Sequence, residues 1–225
     1  MDFQKFIRSN RSMFRNFLPK KNKNHRILFG ILKNYRIFTN WRNYPSGILG
    51  RTEKELIDWF SKNIRNGERW IDVGANYDFT TIALAKFTEE NGEVFAIEPV
   101  PGTCGNLIKT MELNRLTNVN VFCLALAECA PFSLDYFNTS RGILNDKSEK
   151  SNIGIISIPF NKFWASIDGG RIDGMKIDVD GQELVVINGM KNTLEKYHPK
   201  LIVELHDSTC TETEIILENL GYKFS

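Results

Sequence analysis

The chain has 225 residues, of which 42% are hydrophobic and 25% are charged. This length fits one large α/β domain or one domain with an appendage, and the composition excludes disordered, collagen-like and disulfide-scaffold classes. No apolar run approaches the roughly 18 residues that a membrane-spanning helix needs. The four cysteines show no metal-ligand spacing, which indicates a reduced, cytoplasmic setting.

Charge is unevenly distributed along the chain. Residues 1–51 hold 12 Lys and Arg against one acid, whereas residues 52–225 hold 17 against 26. We therefore divide the chain into a basic N-terminal segment, residues 1–50, and a main domain, residues 51–225. The two parts are expected to have different roles.

The basic segment interleaves its cations with aromatic and aliphatic residues. The spacing of its apolar positions predicts a helical stripe formed by Ile27, Leu28, Ile31, Leu32 and Tyr35. Two interpretations stay open. The segment is either a helical appendage packed on the main domain or a basic amphipathic surface. Such a surface would bind a polyanionic partner or the inner face of an anionic membrane. Nucleic acid is not the expected partner, because no nucleic-acid-reading motif is present.

The main domain alternates strand and helix patterns. Strands are predicted over 69–73, 94–97, 119–126, 174–178 and 200–204, and helices from about 53 and over 79–87, 103–115, 182–197 and 211–220. This alternation predicts a doubly wound, mostly parallel sheet with helices on both faces. The polar residues 138–154 are predicted to form a long surface loop near the carboxyl ends of the strands.

The turn after the first strand carries the residues of a nucleotide site. Asp72 ends that strand, Gly74 lets the backbone approach a ligand, Asn76 follows in the turn, and Glu98 ends the second strand, where a carboxylate can accept both hydroxyls of a ribose. A dinucleotide fold would require G-x-G-x-x-G here, and the turn has a single glycine. An adenosine ligand with a cationic or amino-acid tail is therefore favoured.

Several motifs together resemble one known family. They are W-I-D-V-G-A-N at 70–76, V-F-A-I-E-P-V-P at 94–101, L-N-R-L-T-N-V at 113–119, M-K-I-D-V-D-G-Q-E at 175–183 and P-K-L-I-V-E at 199–204. In this order they resemble the FkbM family of S-adenosylmethionine-dependent methyltransferases over about residues 53–224. The resemblance implies a Rossmann-like fold and methyl transfer to a hydroxyl of a sugar, glycan or polyketide-like small molecule.

The resemblance also implies roles for single residues. Asp72, Gly74, Asn76 and Thr81 would line the methionine end of the cofactor S-adenosyl-L-methionine, Glu98 would hold its ribose, and Ala125, at the end of the third strand, would lie near its adenine.

The sequence departs from the family at Asp78, which stands where the family has a second glycine. Asp tolerates a positive φ better than most residues, and its carboxylate would either face the cofactor's cationic groups or crowd the pocket. In the second case the chain would be a catalytically disabled methyltransferase-like binding domain. A third alternative is another nucleotide-using Rossmann enzyme.

The end of the chain is a second departure. The family sheet closes with an antiparallel strand pair after the fifth strand, and residues 221–224 reach only the start of the first of these strands. The sequence therefore predicts an incomplete strand pair at this edge.

Carboxylates and a histidine follow the fourth and fifth strands, at the edge where ligands bind in open α/β sheets. His206 is the first candidate for the base that takes the acceptor's proton, with Asp178 and Asp180 next. A divalent metal on Asp178, Glu204 and His206 is a weaker alternative, and no metal is predicted. In the alternative interpretation, Asp180 and its neighbours cap and stabilise the N-terminus of the following helix.

Overall fold

The computed structural model describes residues 17–128, 133–138, 143–144, 154–205 and 210–224. The strands are β1 (Lys23–Arg26), β2 (Arg36–Thr39), β3 (Arg69–Val73), β4 (Glu93–Ile97), β5 (Val119–Phe122), β6 (Ala125–Ala127), β7 (Ser133–Asn138), β8 (Ile143–Leu144), β9 (Gly154–Pro159), β10 (Gly174–Ile177) and β11 (Lys200–Val203). The helices are α1 (Pro45–Leu49), α2 (Lys54–Asn63), α3 (Phe79–Thr88), α4 (Pro101–Asn114), α5 (Phe160–Ser166), α6 (Glu183–Tyr197) and α7 (Cys210–Asn219).

Five parallel strands form the central sheet in the order β11-β10-β3-β4-β5. Strand order reverses between β3 and β10, and ligands bind outside the carboxyl ends of strands at such a switch point. The predicted doubly wound, mostly parallel sheet is confirmed, and four of its five strands lie within one residue of their predicted bounds.

Alternate residues of β3 enter the two cores on opposite sides of the sheet. Trp70 packs with α2, α3 and α4, whereas Ile71 and Val73 pack with α5, α6 and α7. Because successive side chains of a strand point to opposite faces, Asp72 lies on the Trp70 side. The apolar runs in the sequence are what a sheet buried on both faces requires.

The N-terminal segment differs from its prediction within the described residues. Residues 23–39 form an antiparallel hairpin of β1 and β2 in place of the predicted helical stripe. Gly30 and Asn34 both adopt positive φ in the connecting loop, which ends any helix there. The loop buries Ile27 and Leu32 in the core shared with α2, α3 and α4.

Polar side chains of α4 hold this hairpin in place. Thr110 Oγ1 accepts the Phe38 N–H at 2.9 Å, and Asn114 Oδ1 accepts the Arg36 N–H at 2.7 Å. One turn earlier, Asn106 accepts a hydrogen bond from the Asn22 amide at 3.2 Å. The spacing of four residues puts all three on one helix face, where Thr110 and Asn114 satisfy the open edge of β2.

The third predicted strand, residues 119–126, is wrong in its second half. The central strand β5 ends at Phe122, which pairs with Ile97 at the end of β4. Pro99 follows shortly after β4 and has no N–H to continue the ladder. Ala125 instead lies in β6, which pairs with β9 in a separate four-stranded sheet with β7 and β8.

The predicted loop 138–154 overlaps this second sheet. Asn138 ends β7, residues 143–144 form β8 and Gly154 begins β9, while residues 139–142 and 145–153 lie outside the described residues. The strand pairing β7–β9 and helix α5 were not predicted. The signal for α5 is the spacing of Phe160, Phe163 and Trp164, three buried aromatic residues on one helix face.

At the other edge, β11 is the last strand of the central sheet within the described residues. Residues 222–224 are not in a strand, and the incomplete strand pair stays a prediction. None of the described helices is long and apolar enough to cross a membrane.

The hairpin predicts a contrast between neighbouring apolar residues. Leu32 is fully buried and Ile31 is 44% exposed, although a helical stripe would bury both. We expect Leu32→Ala to lower the free energy of unfolding by about 2–4 kcal/mol, because it leaves a cavity in the core. The control Ile31→Ala should change it by less than about 0.5 kcal/mol. Urea denaturation measures both, and equal losses would contradict the hairpin.

Candidate functional site

The turn after β3 depends on one glycine. Gly74 has a φ of +76°, and a Cβ at this position would lie 1.9 Å from the backbone oxygen of Asp178. The turn therefore passes so close to the end of β10 that no other residue fits. Its backbone is further fixed by the N–H groups of Gly74 and Ala75, which both donate to the Ile97 carbonyl.

A buried lysine lies directly beneath this turn. Lys176 pairs with Asp72 in the register of β10 and β3, so both side chains lie on the same face of the sheet. Its Nζ is 3.5 Å from Asp72 Oδ1 and 3.2 Å from Asp178 Oδ2, and it donates a hydrogen bond of 3.0 Å to the Gly74 carbonyl. Burial lowers the pKa of Lys176, but the attraction of the two carboxylates outweighs it and the net pKa is raised. The ammonium therefore stays charged and joins β3, β10 and the turn.

Asp72 also organises the start of α3. It is fully buried, and its Oδ2 accepts hydrogen bonds from the hydroxyls of Thr80 at 2.9 Å and Thr81 at 2.6 Å. Charge-assisted bonds of this kind fix the first turn of the helix. Thr81 therefore lies beside Asp72, and Thr80 is an additional partner that the sequence did not predict.

Glu98 closes the turn from the side of β4. Its two carboxylate oxygens accept the N–H groups of Asn76 at 3.0 Å and Val100 at 2.9 Å. Burial raises the pKa of the Glu98 carboxyl, these two hydrogen bonds and Lys176 lower it, and Asp72 raises it, with a net increase. Each oxygen keeps a further lone pair, so the carboxylate can still accept two hydroxyl donors.

Asp78 connects the turn to α4. It is the N-cap of α3 with a φ of +75°, a backbone conformation that glycine adopts more readily than aspartate. Its Oδ2 accepts the Thr110 hydroxyl at 2.5 Å, and the same hydroxyl oxygen accepts the Phe38 N–H. Burial raises the pKa of Asp78 well above its ordinary range; the Thr110 bond lowers it, and the charges of Glu98 and Asp72 raise it.

Acidic groups outnumber cations around the turn. Asp72, Asp78, Glu98 and Asp178 surround it, and among the described residues Lys176 is the cation at the turn, in contact with Asp72 and Asp178. Two buried carboxylate oxygens, Asp72 Oδ1 and Asp78 Oδ1, accept no hydrogen bond. A cationic ligand would compensate this charge, whereas a pyrophosphate would be repelled. The residues present fit S-adenosylmethionine, which carries a sulfonium and an ammonium.

The catalytic candidates are only partly described. Asp178 is a third exposed and bound to Lys176, and Asp180 is exposed in the turn that follows β10. Glu183 folds back so that its Oε1 accepts the Gly181 N–H at 2.9 Å, which supports the helix-start interpretation for Glu183. His206 lies outside the described residues. No cluster of metal-binding side chains occurs in the described part of the chain.

The sequence also did not predict an aromatic contact at the turn after β3. Tyr77 stacks on Tyr44, with ring centroids 4.6 Å apart, and Tyr44 directly precedes α1. The N-terminal segment thus contacts the turn after β3 through this stack. It also contacts the turn through Thr110, which bonds both Phe38 and Asp78. Neither contact has a local sequence signal, because the partners are more than 30 residues apart.

The fold and the turn define a Rossmann-like methyltransferase. The family described as "Methyltransferase FkbM domain" matches residues 72–224 of this sequence. The chain belongs to this family of methyltransferases, and the predicted resemblance is confirmed. Family and fold together support methylation that depends on S-adenosylmethionine. No curated protein matches the sequence significantly.

Solved structures share the fold. A precorrin-6y C5,15-methyltransferase from Geobacter metallireducens is 16% identical with a TM-score of 0.50, and the match covers 76% of this chain and 72% of that one. A methyltransferase FkbM from Methylobacillus flagellatus is 18% identical with a TM-score of 0.49 over 72% of this chain and 44% of that one. This chain therefore matches less than half the length of the Methylobacillus protein.

The burial of Asp78 predicts a pH-dependent stability. A carboxyl whose pKa is higher in the folded than in the unfolded chain binds more protons when folded, so it lowers stability as pH rises from about 4 to the folded pKa. Asp78→Asn removes this loss and keeps an acceptor for Thr110. We expect the variant to have the higher free energy of unfolding at pH 7, with a difference that shrinks toward pH 4. Chemical denaturation across this range measures it, and a variant that is less stable at pH 7 would contradict the raised pKa.

Proposed function

We propose that the protein transfers a methyl group from S-adenosylmethionine to a hydroxyl oxygen of a sugar, glycan or polyketide-like small molecule. The observation that carries the proposal is the excess of buried carboxylates around the β3 turn, with Glu98 at the end of the neighbouring strand. When bound, the cofactor supplies an electrophilic methyl group on a sulfonium.

The proposed cofactor contacts come from the end of β4, the turn after β3 and the start of α3. Glu98 accepts the two ribose hydroxyls with the lone pairs that Asn76 and Val100 leave open. The backbone of the turn at Gly74 and Asn76 is proposed to contact the methionine end of the cofactor. Thr81 contributes by holding the Asp72 carboxylate in place through its hydrogen bond. Asp78 Oδ1, which accepts no hydrogen bond within the protein, is proposed to face the sulfonium and ammonium groups of the cofactor.

Ala125 is proposed to contact the adenine from β6.

The acceptor hydroxyl must lose its proton as the carbon–oxygen bond forms. His206 is the proposed base, because it follows β11 by three residues and a neutral imidazole suits proton removal near pH 7. Asp178 is proposed to orient the acceptor or this imidazole, and Asp180 is the alternative base. Asp178 is well suited to positioning because Lys176 fixes its carboxylate.

A catalytically disabled binding domain is the second candidate. The specific observation that favours it is Asp78, which replaces a glycine in the pocket turn. Against it, Asp78 already has a positive φ and a hydrogen bond to Thr110, so the turn tolerates the substitution. Binding of S-adenosylhomocysteine, the cofactor after methyl transfer, distinguishes the two candidates.

We propose the cytoplasm as the site of the reaction. Residues 1–50 are proposed to contact the inner face of an anionic membrane, through their excess of cations.

Calorimetric titration with S-adenosylhomocysteine tests the proposed cofactor site. We expect micromolar binding to the parent chain, and a loss of about 2–3 kcal/mol in Glu98→Ala, because two hydrogen bonds to a desolvated diol disappear. Glu93→Ala is the matched control, since Glu93 lies at the opposite end of the same strand. Its affinity should stay within about twofold of the parent.

Two results would oppose the proposal. An unchanged affinity in Glu98→Ala would remove Glu98 from ribose recognition, and an absence of binding to the parent chain at millimolar ligand would favour the disabled domain. Once binding is established, incubation with S-adenosylmethionine and a panel of glycans should yield a product heavier by one methylene unit.

A further inference from the structure

The loop between β1 and β2 exposes large apolar side chains. Leu28, Phe29 and Ile31 are 40%, 51% and 44% exposed, and we refer to these three residues as the apolar tip. Ile27 and Leu32, on either side of them, are fully buried. Exposed large apolar side chains grouped on one loop are typical of interaction surfaces.

The backbone that presents the apolar tip is fixed. Gly30 has a φ of +78°, and a Cβ there would lie 2.8 Å from the Gly50 carbonyl oxygen. The Leu28 N–H donates to the Ile48 carbonyl at 3.0 Å. The tip is therefore anchored to α1 and its C-cap, and its side chains point outward from an ordered turn.

Cations surround the apolar tip. Residues 17–51 contain eight Lys and Arg and no acid. The Arg51 guanidinium lies 5.5 Å from the centroid of the Phe29 ring. Beside the tip is an open groove of about 750 Å³, whose lining includes Lys33, Arg36, Lys86 and Arg115. We refer to these four residues as the basic groove.

The cations of the basic groove outnumber its acidic groups. Within the described ranges, none of its four cations forms an ion pair, and Lys86 instead lies 5.8 Å from the Tyr35 ring centroid. Glu89 and Glu90 also line it, and Glu89 accepts a hydrogen bond from Asn66. The groove keeps an excess of positive charge, which attracts anionic groups.

We propose that the apolar tip and the basic groove form a docking site for an anionic phospholipid membrane. The tip inserts into the interface while the groove binds lipid phosphates, since apolar insertion and counter-charge attraction reinforce each other at a bilayer surface. The inference rests on the proposed membrane contact of residues 1–50 and names the side chains that make it. Nucleic acid would use the cations but gain little from Leu28 and Ile31.

The first residues of the chain are a poor occupant of this surface. Residues 1–16 carry Lys5, Arg8, Arg11 and Arg15 against a single acid, so they repel the basic groove. The same charge would add to the attraction toward an anionic bilayer.

The docking site and the cofactor turn lie at opposite ends of the sheet. The groove is lined by Asn91 and Asn118, which lie shortly before β4 and β5, whereas Gly74 and Glu98 follow the ends of β3 and β4. Membrane binding therefore leaves the cofactor crevice open.

Sedimentation of the full chain with lipid vesicles tests the apolar tip. We expect binding to vesicles that contain phosphatidylserine and much weaker binding to pure phosphatidylcholine. Phe29→Ser/Ile31→Ser should weaken the binding at least about tenfold. Ile215→Ser is the matched control, because Ile215 on α7 is 52% exposed and remote in sequence from the tip. It should bind within about twofold of the parent.

A second pair of variants tests the basic groove. Lys33→Ala/Arg115→Ala should lose about fivefold per cation, and the loss should diminish at high salt. Lys62→Ala/Lys162→Ala, two exposed lysines outside the groove, should lose much less.

Three results would overturn the inference. Equal vesicle binding by the tip variant and the parent would remove the apolar tip. Stronger binding to duplex DNA than to anionic vesicles, unchanged in the tip variant, would assign the cations to nucleic acid. No vesicle binding by the parent would reject both the docking site and the membrane contact, whereas S-adenosylhomocysteine binding, measured separately, reports on the proposed methyl transfer.

Discussion

A charged lysine buried between two carboxylates holds the centre of this protein together. Lys176 is 5% exposed, and it contacts Asp72, Asp178 and the Gly74 carbonyl at once. Removing one member of such a group leaves an uncompensated buried charge, which costs several kcal/mol. The ends of β3 and β10 and the turn between β3 and α3 are therefore fixed relative to one another at the switch point of the sheet.

The chemistry of the site follows from this arrangement. Among the described residues, the single cation Lys176 cannot neutralise the four carboxyl groups, so the turn favours a positively charged ligand. Burial, together with the neighbouring carboxylates, raises the pKa values of Asp78 and Glu98. The hydrogen bonds of Thr110 then connect Asp78 to β2, and the stack of Tyr44 on Tyr77 makes a second connection to the N-terminal segment. Residues that precede the methyltransferase family match thus support the turn that is proposed to bind the cofactor.

The central sheet and its first turn could be predicted because their signals are local. Acidic residues stand at or directly after the carboxyl ends of β3, β4 and β10, namely Asp72, Glu98 and Asp178, and a parallel topology brings such ends together. The hairpin could not be predicted in this way. Ile27 and Leu32 fit a helical spacing as well as a loop, and the choice between them depends on contacts with α4 and Gly50 that lie far away in the sequence.

We infer that Lys176 orders the turn proposed to bind the cofactor. Calorimetry with S-adenosylhomocysteine on Lys176→Met and Lys200→Met tests it directly, because Lys200 also pairs with a buried carboxylate, Glu68, but outside the turn. Circular dichroism at the titration temperature establishes that both variants are folded. We expect at least a tenfold loss of affinity in Lys176→Met, with Lys200→Met close to the parent. Equal affinity in a folded Lys176→Met and the parent would contradict it.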